Sequence, residues 1–171
     1  MEFVVPFLRV IHILSGILWV GGTAVSAMFL IPTARRLGPA VGPFMREFAA
    51  RSGFPTTVML AGFFTVGAGA VLFPFSSGQF APSWMSSSTG IAYSTGAAFG
   101  IVGLIFGLVW QTPAAAKLGA LGRVLAAQTA PPTVEQLAAM HALQAKLATG
   151  GVISSVLLGL ASAIMAVARY V

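Results

Sequence analysis

Residues 52–116 read SGFPTTVMLAGFFTVGAGAVLFPFSSGQFAPSWMSSSTGIAYSTGAAFGIVGLIFGLVWQTPAAA, and no Asp, Glu, Lys or Arg occurs anywhere in that run. A helix crossing a bilayer needs roughly 20 mainly apolar residues. The run is too long for one crossing, and Pro74 with the polar segment 76–90 divides it. That division predicts helices at about 56–75 and 91–111.

Toward the N-terminus, Arg9 and Arg35 bracket another uncharged run. It predicts a helix over about 5–31, ended by Pro32, which cannot continue a helix cheaply. Ahead of it stands one charge, Glu2, with no basic leader, so the segment reads as a retained helix and not a cleaved signal. Toward the C-terminus, residues 147–167 are apolar, but Thr133 followed by Gln136 makes a capping box directly after Pro131 and Pro132. The fourth helix is therefore predicted over 133–170, about 57 Å long at ~1.5 Å per residue.

With 57% hydrophobic and 7% charged residues among 171, no water-soluble core of this size could hide the apolar surface. The chain is expected to be all-α, an integral membrane four-helix bundle forming one domain over 1–171. Of the nine basic residues, Arg35, Arg36, Arg46, Arg51, Lys117, Arg123 and Lys146 lie in or beside the first and third loops, while the second loop has none. By the positive-inside rule those loops are cytoplasmic and both termini are non-cytoplasmic. The net charge of +6 is thereby a topology and lipid-headgroup signal, and nucleic acid is not an expected partner. Val41, Phe44, Met45 and Phe48 recur at helical spacing opposite Arg46, Glu47 and Arg51, which predicts a short helix lying along the interface.

Chemistry has few places to sit. There is no cysteine, and the only acids, Glu2, Glu47 and Glu135, fall outside the spans. No nucleophilic triad, carboxylate pair, phosphate loop or proton-relay acid can be assembled, which argues against hydrolases and ion-driven carriers.

At 100° per residue, His12, Ser15, Gly16, Trp19, Thr23 and Ser26 fall on one stripe of the first helix, with Arg9 at its edge. Ionisable groups at membrane depth are costly and face a bundle interior, cavity or cofactor, so His12 is the candidate ligand for a heme iron or a metal. Arg9, one turn nearer the surface, could reach a heme propionate. Against these stand plainer roles, a hydrogen bond from His12 to a neighbouring helix and a snorkelling Arg9. Trp19, near the bilayer centre, would pack either on a flat macrocycle or on a glycine-rich helix face.

Gly96, Gly100, Gly103 and Gly107 line the third helix, and Gly151, Ser155, Ser162 and Met165 line the fourth. Such stripes allow close helix packing or leave room for a planar group. Met165 is the candidate second axial ligand at the height of His12; Tyr93, water or an open position are the alternatives. His141, the other histidine, should lie roughly 30 Å away in height at ~1.5 Å per residue. A bis-histidine heme is excluded on that topology.

The stretch Leu8-Arg9-Val10-Ile11-His12 through Trp19-Val20-Gly21-Gly22, followed by Phe29-Leu30-Ile31-Pro32, resembles the first helix of a broad bacterial membrane superfamily. That group includes the copper-resistance D proteins and the heme-containing membrane protoporphyrinogen oxidases. The resemblance implies a helical bundle in a bacterial inner membrane, with His12 in the place of a heme or metal ligand and Arg9 where the oxidase branch has a lysine. The oxidases carry a second lysine within a later span, and no later span here has an internal lysine. Porphyrinogen oxidation is accordingly not expected.

Three functions remain in view. The leading one is a membrane protein holding heme b through His12, with Arg9, Trp19 and Met165 around it, passing electrons to a redox partner or acting on a small substrate near the outer leaflet. Copper handling is the second, although the seven methionines are scattered and form no cluster. The third is a non-enzymatic subunit of a larger membrane complex. Enzymatic activity and assembly into homo-oligomers stay open.

Overall fold

The computed structural model describes residues 3–171, and Glu2 lies outside them. About 90% of the chain is helical, and no strand occurs among the described residues. The helices are α1 (Val4–Leu37), α2 (Gly42–Arg51), α3 (Phe54–Ser76), α4 (Pro82–Met85), α5 (Ser88–Ala127) and α6 (Val134–Tyr170). Four of them, α1, α3, α5 and α6, are long and apolar enough to cross a membrane. The protein is a multi-pass, all-α membrane bundle.

Two hairpins build the bundle: α1 packs along α3, and α5 packs along α6. They meet through α1 against α6 and α3 against α5. At the junction lies a small core of Trp19, Ala61 and Leu158, with Val20, Val58, Val66 and Leu104 packed on it. Much of the bundle's surface is apolar and outward-facing, for instance Ile17 at 62% exposure, Phe64 at 59% and Val109 at 71%. In water such a surface would drive aggregation; in lipid it is the solvated face.

The helix ends depart from the sequence expectation at two prolines. α1 does not stop at Pro32 but runs to Leu37, and α5 does not stop near Gln111 but passes Pro113 and ends at Ala127. In both helices a π-helical turn stands directly before the proline, Ser26–Leu30 and Gly107–Gln111. The Ile31 N–H donates to the Ser26 carbonyl, and the Thr112 N–H donates to the Gly107 carbonyl. A proline removes one donor and crowds the carbonyl four residues back. Widening the preceding turn to an i→i−5 pattern relieves that crowding, so the helix proceeds.

α3 ends at Ser76, two residues past Pro74, where the Ser77 hydroxyl accepts the Phe80 N–H at 2.9 Å. α6 begins at Val134 with the expected capping box: Thr133 Oγ1 accepts from the Gln136 N–H (3.2 Å), and Gln136 Oε1 accepts from the Thr133 N–H (2.9 Å). The connector α2 forms where its amphipathic spacing predicts, with the Phe48 ring 6.0 Å from Phe44 and 5.0 Å from Phe54.

The basic ends of α1 and α5 share one pattern. Pro113 follows Pro32 by 81 positions (113 − 32), and the same shift carries the first π turn onto the second and Ala34, Arg36, Leu37 and Gly38 onto Ala115, Lys117, Leu118 and Gly119. Each hairpin also has two side-chain-on-glycine approaches seven residues apart, with the sides exchanged: the side chains come from the first helix in the first hairpin and from the second helix in the second. Trp19 lies over Gly62 and His12 over Gly69 in the first, Leu158 over Gly103 and Met165 over Gly96 in the second.

Candidate functional site

His12 stands in the first third of α1 and faces α3. Its Nδ1 is 2.8 Å from the Thr65 carbonyl oxygen. A carbonyl can only accept, so Nδ1 carries a proton, and it is Nε2 that a ligating ring would offer. Nε2 makes no hydrogen bond among the described residues.

Two neighbours fix the ring. A Cβ on Gly69 would fall 3.0 Å from His12 Cε1 and 3.1 Å from Nδ1, so the absence of a side chain there lets the imidazole lie on the helix. One turn further along α1, the buried Ser15 hydroxyl donates to the Ile11 carbonyl at 2.6 Å. Thr65 Oγ1 sits 2.8 Å from Ser15 Oγ and 2.7 Å from the Ala61 carbonyl. The polar stripe predicted on α1 is therefore a hydrogen-bonded seam between α1 and α3, with Thr65 as its partner on both levels. Thr65 was not singled out from sequence; a threonine in an uncharged span opposite a histidine is the signal that marks it.

The other candidates are placed separately. Arg9 is exposed, one turn closer to the N-terminus than His12. Trp19 is 7% exposed and its indole lies on Gly62, where a Cβ would come within 2.9 Å of Cε2 and 3.3 Å of Leu104 Cδ1. Of the two roles open to Trp19, the glycine face is the one that occupies it. Met165 is half-buried against Gly96 in the second hairpin, so His12 and Met165 are each engaged in a different hairpin. Tyr93 stacks on Trp84 at 6.2 Å, and Trp84 meets Phe73 edge-on at 5.7 Å.

His141 is exposed on the outer part of α6. Ala27 of α1 touches Gly151 of α6, which sets a common level. From there His12 lies about 22 Å toward the termini and His141 about 15 Å the other way, at ~1.5 Å per residue. One iron cannot join the two histidines.

At the level of the π turns, polar groups interlock within the apolar interior. Gln111 Nε2 donates to Ser154 Oγ at 2.6 Å, and Ser155 Oγ donates to the Gly151 carbonyl at 2.8 Å. Ser26 Oγ is buried without a partner among the described residues. Nowhere among the described residues do three or more His, Cys, Asp or Glu side chains gather.

Comparison of the chain with protein-family models, curated proteins and solved structures found no match.

Proposed function

We propose that this protein is a bacterial inner-membrane carrier of heme b, with His12 Nε2 as an axial ligand of the iron and Arg9 beside the propionates. The observation that supports it most is the hydrogen bond from His12 Nδ1–H to the Thr65 carbonyl. Ligating histidines characteristically donate their second ring N–H to a carbonyl or carboxylate, which fixes the tautomer and raises the basicity of the ligating nitrogen. The same bond would serve a histidine that only joined two helices; a ligand needs in addition an Nε2 open to a second group, and that nitrogen is not among the buried unpartnered atoms.

The residues present fit a macrocycle better than a bare ion. Heme supplies four nitrogens of its own, so one protein ligand suffices to hold it, with a second axial position optional. A copper ion would have to draw every ligand from the chain, and no cluster of titratable donors accompanies His12 among the described residues. When bound, the heme would supply one-electron redox chemistry, while the chain orients His12 through Thr65 and provides apolar surroundings that tune the potential. With Trp19 and Met165 packed against Gly62 and Gly96, the reading rests on His12 and Arg9. Under the positive-inside rule the distribution of basic residues supports a position for this site on the outer half of the membrane.

The deciding measurement is the absorption spectrum of protein purified in detergent from heme-replete cells. A Soret band present in the native chain and lost in His12→Ala is expected. A colourless native protein that also fails to take up added hemin would sink the reading.

A further inference from the structure

Because α1 continues through Pro32, Arg35 and Arg36 are held on a helix beside α6 and not released into a loop. Between the two helices, at the basic end of the bundle, runs a groove of about 550 Å³. Its walls are Ile31, Pro32, Ala148 and Val152, and its rim carries Arg35, Arg36 and Thr149. The contact of Ala27 with Gly151 draws α1 and α6 together at its inner end.

The charge at the rim is uncompensated. Arg35 Nη2 donates to the Gln144 carbonyl at 2.9 Å, which holds the guanidinium across the groove and leaves further N–H donors. Arg36 and the Thr149 hydroxyl have no hydrogen-bond partner among the described residues, and the one ion pair among them, Arg51 with Glu47, is elsewhere. Glu135, on the same helix as Thr149, is about 21 Å further out at ~1.5 Å per residue. Two arginines and a hydroxyl thus stand over an apolar trough at the basic end of the bundle.

We propose that this groove is a specific site for an anionic glycerophospholipid. Its phosphodiester sits between Arg35, Arg36 and Thr149, and one acyl chain lies along Ile31, Pro32, Ala148 and Val152. Guanidinium forks match phosphate oxygens in geometry and charge. The apolar walls, which free phosphate would not use, select a lipid as the source of that phosphate, as basic pockets between membrane helices do. The site is independent of His12 and of any heme.

The test is native mass spectrometry of the full chain released from mixed micelles containing equal phosphatidylglycerol and phosphatidylcholine, backed by displacement of a spin-labelled phosphatidylglycerol. One phosphatidylglycerol should be retained in preference to phosphatidylcholine. Arg35→Gln with Arg36→Gln should weaken it by about 30-fold, the loss expected for two arginines at an anionic surface. Arg46→Gln with Arg51→Gln removes the same charge from α2 and should leave retention nearly unchanged. Val152→Trp fills the trough at a position already 51% exposed, so it should fold normally and still lose the lipid. Equal retention of both lipids, equal loss in the two double variants, or full retention in Val152→Trp would each overturn the proposal. So would displacement of the labelled lipid by millimolar inorganic phosphate, which would show a phosphate site and not a lipid site.

Discussion

Replacing Gly69 tests the link between helix packing and the His12 ligand. An alanine Cβ at this position would lie 3.0 Å from His12 Cε1, whereas ordinary contact begins near 3.4 Å, so the ring must move by about 0.4 Å (3.4 − 3.0). That motion can stretch the 2.8 Å bond to Thr65 to about 3.2 Å, the outer edge of good N–H···O geometry. Valine adds two methyl groups beyond the Cβ and should break the bond. The hydrogen bond itself is worth about 0.6 kcal/mol between membrane helices, a small loss of stability. Its effect on a ligand is larger, since removing an outer-shell partner of a metal-bound histidine weakens affinity by about 10–100-fold. We expect Gly69→Ala to lower hemin affinity a few-fold and Gly69→Val by about 10–100-fold, read from Soret titrations. Gly67→Val is the control: nothing lies within 4 Å of a Cβ at that position, while the helix-propensity cost is the same. Nitrogen-15 spectra of labelled histidine give a readout that needs no heme, with Nδ1 protonated in the native chain and mixed tautomers in Gly69→Val. Unchanged affinity and tautomer in Gly69→Val, or an equal loss in Gly67→Val, would refute the reasoning.

Leu158, 1% exposed at the hairpin junction, should cost less on truncation than in a soluble core. A water-solvated Leu→Ala costs about 2.7–5.0 kcal/mol, of which about 2.4 kcal/mol is transfer of three methylene-sized groups. Lipid is as apolar as leucine and returns no transfer term, leaving about 0.3–2.6 kcal/mol for Leu158→Ala. Leu160→Ala on the exposed side of the same helix should cost close to nothing in mixed-micelle unfolding. At the start of α6, the Glu135 carboxyl is held below the ordinary glutamate value, first by a hydrogen bond from its own backbone N–H and then by the Thr133 hydroxyl. A depressed folded pKa favours the folded helix end above the unfolded value and loses that contribution as pH falls through the folded one. Fraying of Val134–Leu137, followed by amide exchange, should increase as pH drops below the ordinary carboxylate range. Thr133→Ala should move the Glu135 titration back up and destabilise the cap by about 1 kcal/mol.

The four apolar spans were legible because hydropathy and charge suffice to define a span, and the short helix α2 was legible from its spacing. Pro32 was misread as a stop, and the third span was ended too early at Gln111, for one physical reason. A proline breaks a helix only if the freed carbonyl and the crowded turn find no other arrangement, and Ser26–Leu30 and Gly107–Gln111 find one by widening to π turns. Single residues carry no mark of that escape. The pair of Pro-x-Ala-x-basic-Leu-Gly segments at 32–38 and 113–119 does, since two prolines in equivalent places at the basic ends of two spans are better explained as part of a repeated helix than as two independent stops.

The repeat also sharpens what His12 means. Shifted by 81 positions, His12 falls on Tyr93 and Trp19 falls on Gly100. In the second hairpin Tyr93 stacks on Trp84, and the space a Cβ would enter at Gly100 holds nothing within 4 Å. The two hairpins share a π turn before a proline in their first helix, yet the second carries neither the imidazole nor the indole that the first seats on Gly69 and Gly62. Shared scaffold residues answer to packing, which both hairpins need. A histidine seated by Gly69 and oriented by Thr65 has no counterpart in the second hairpin, so packing common to both does not account for it, and that asymmetry adds to the Thr65 bond as a reason to seek the protein's chemistry at His12.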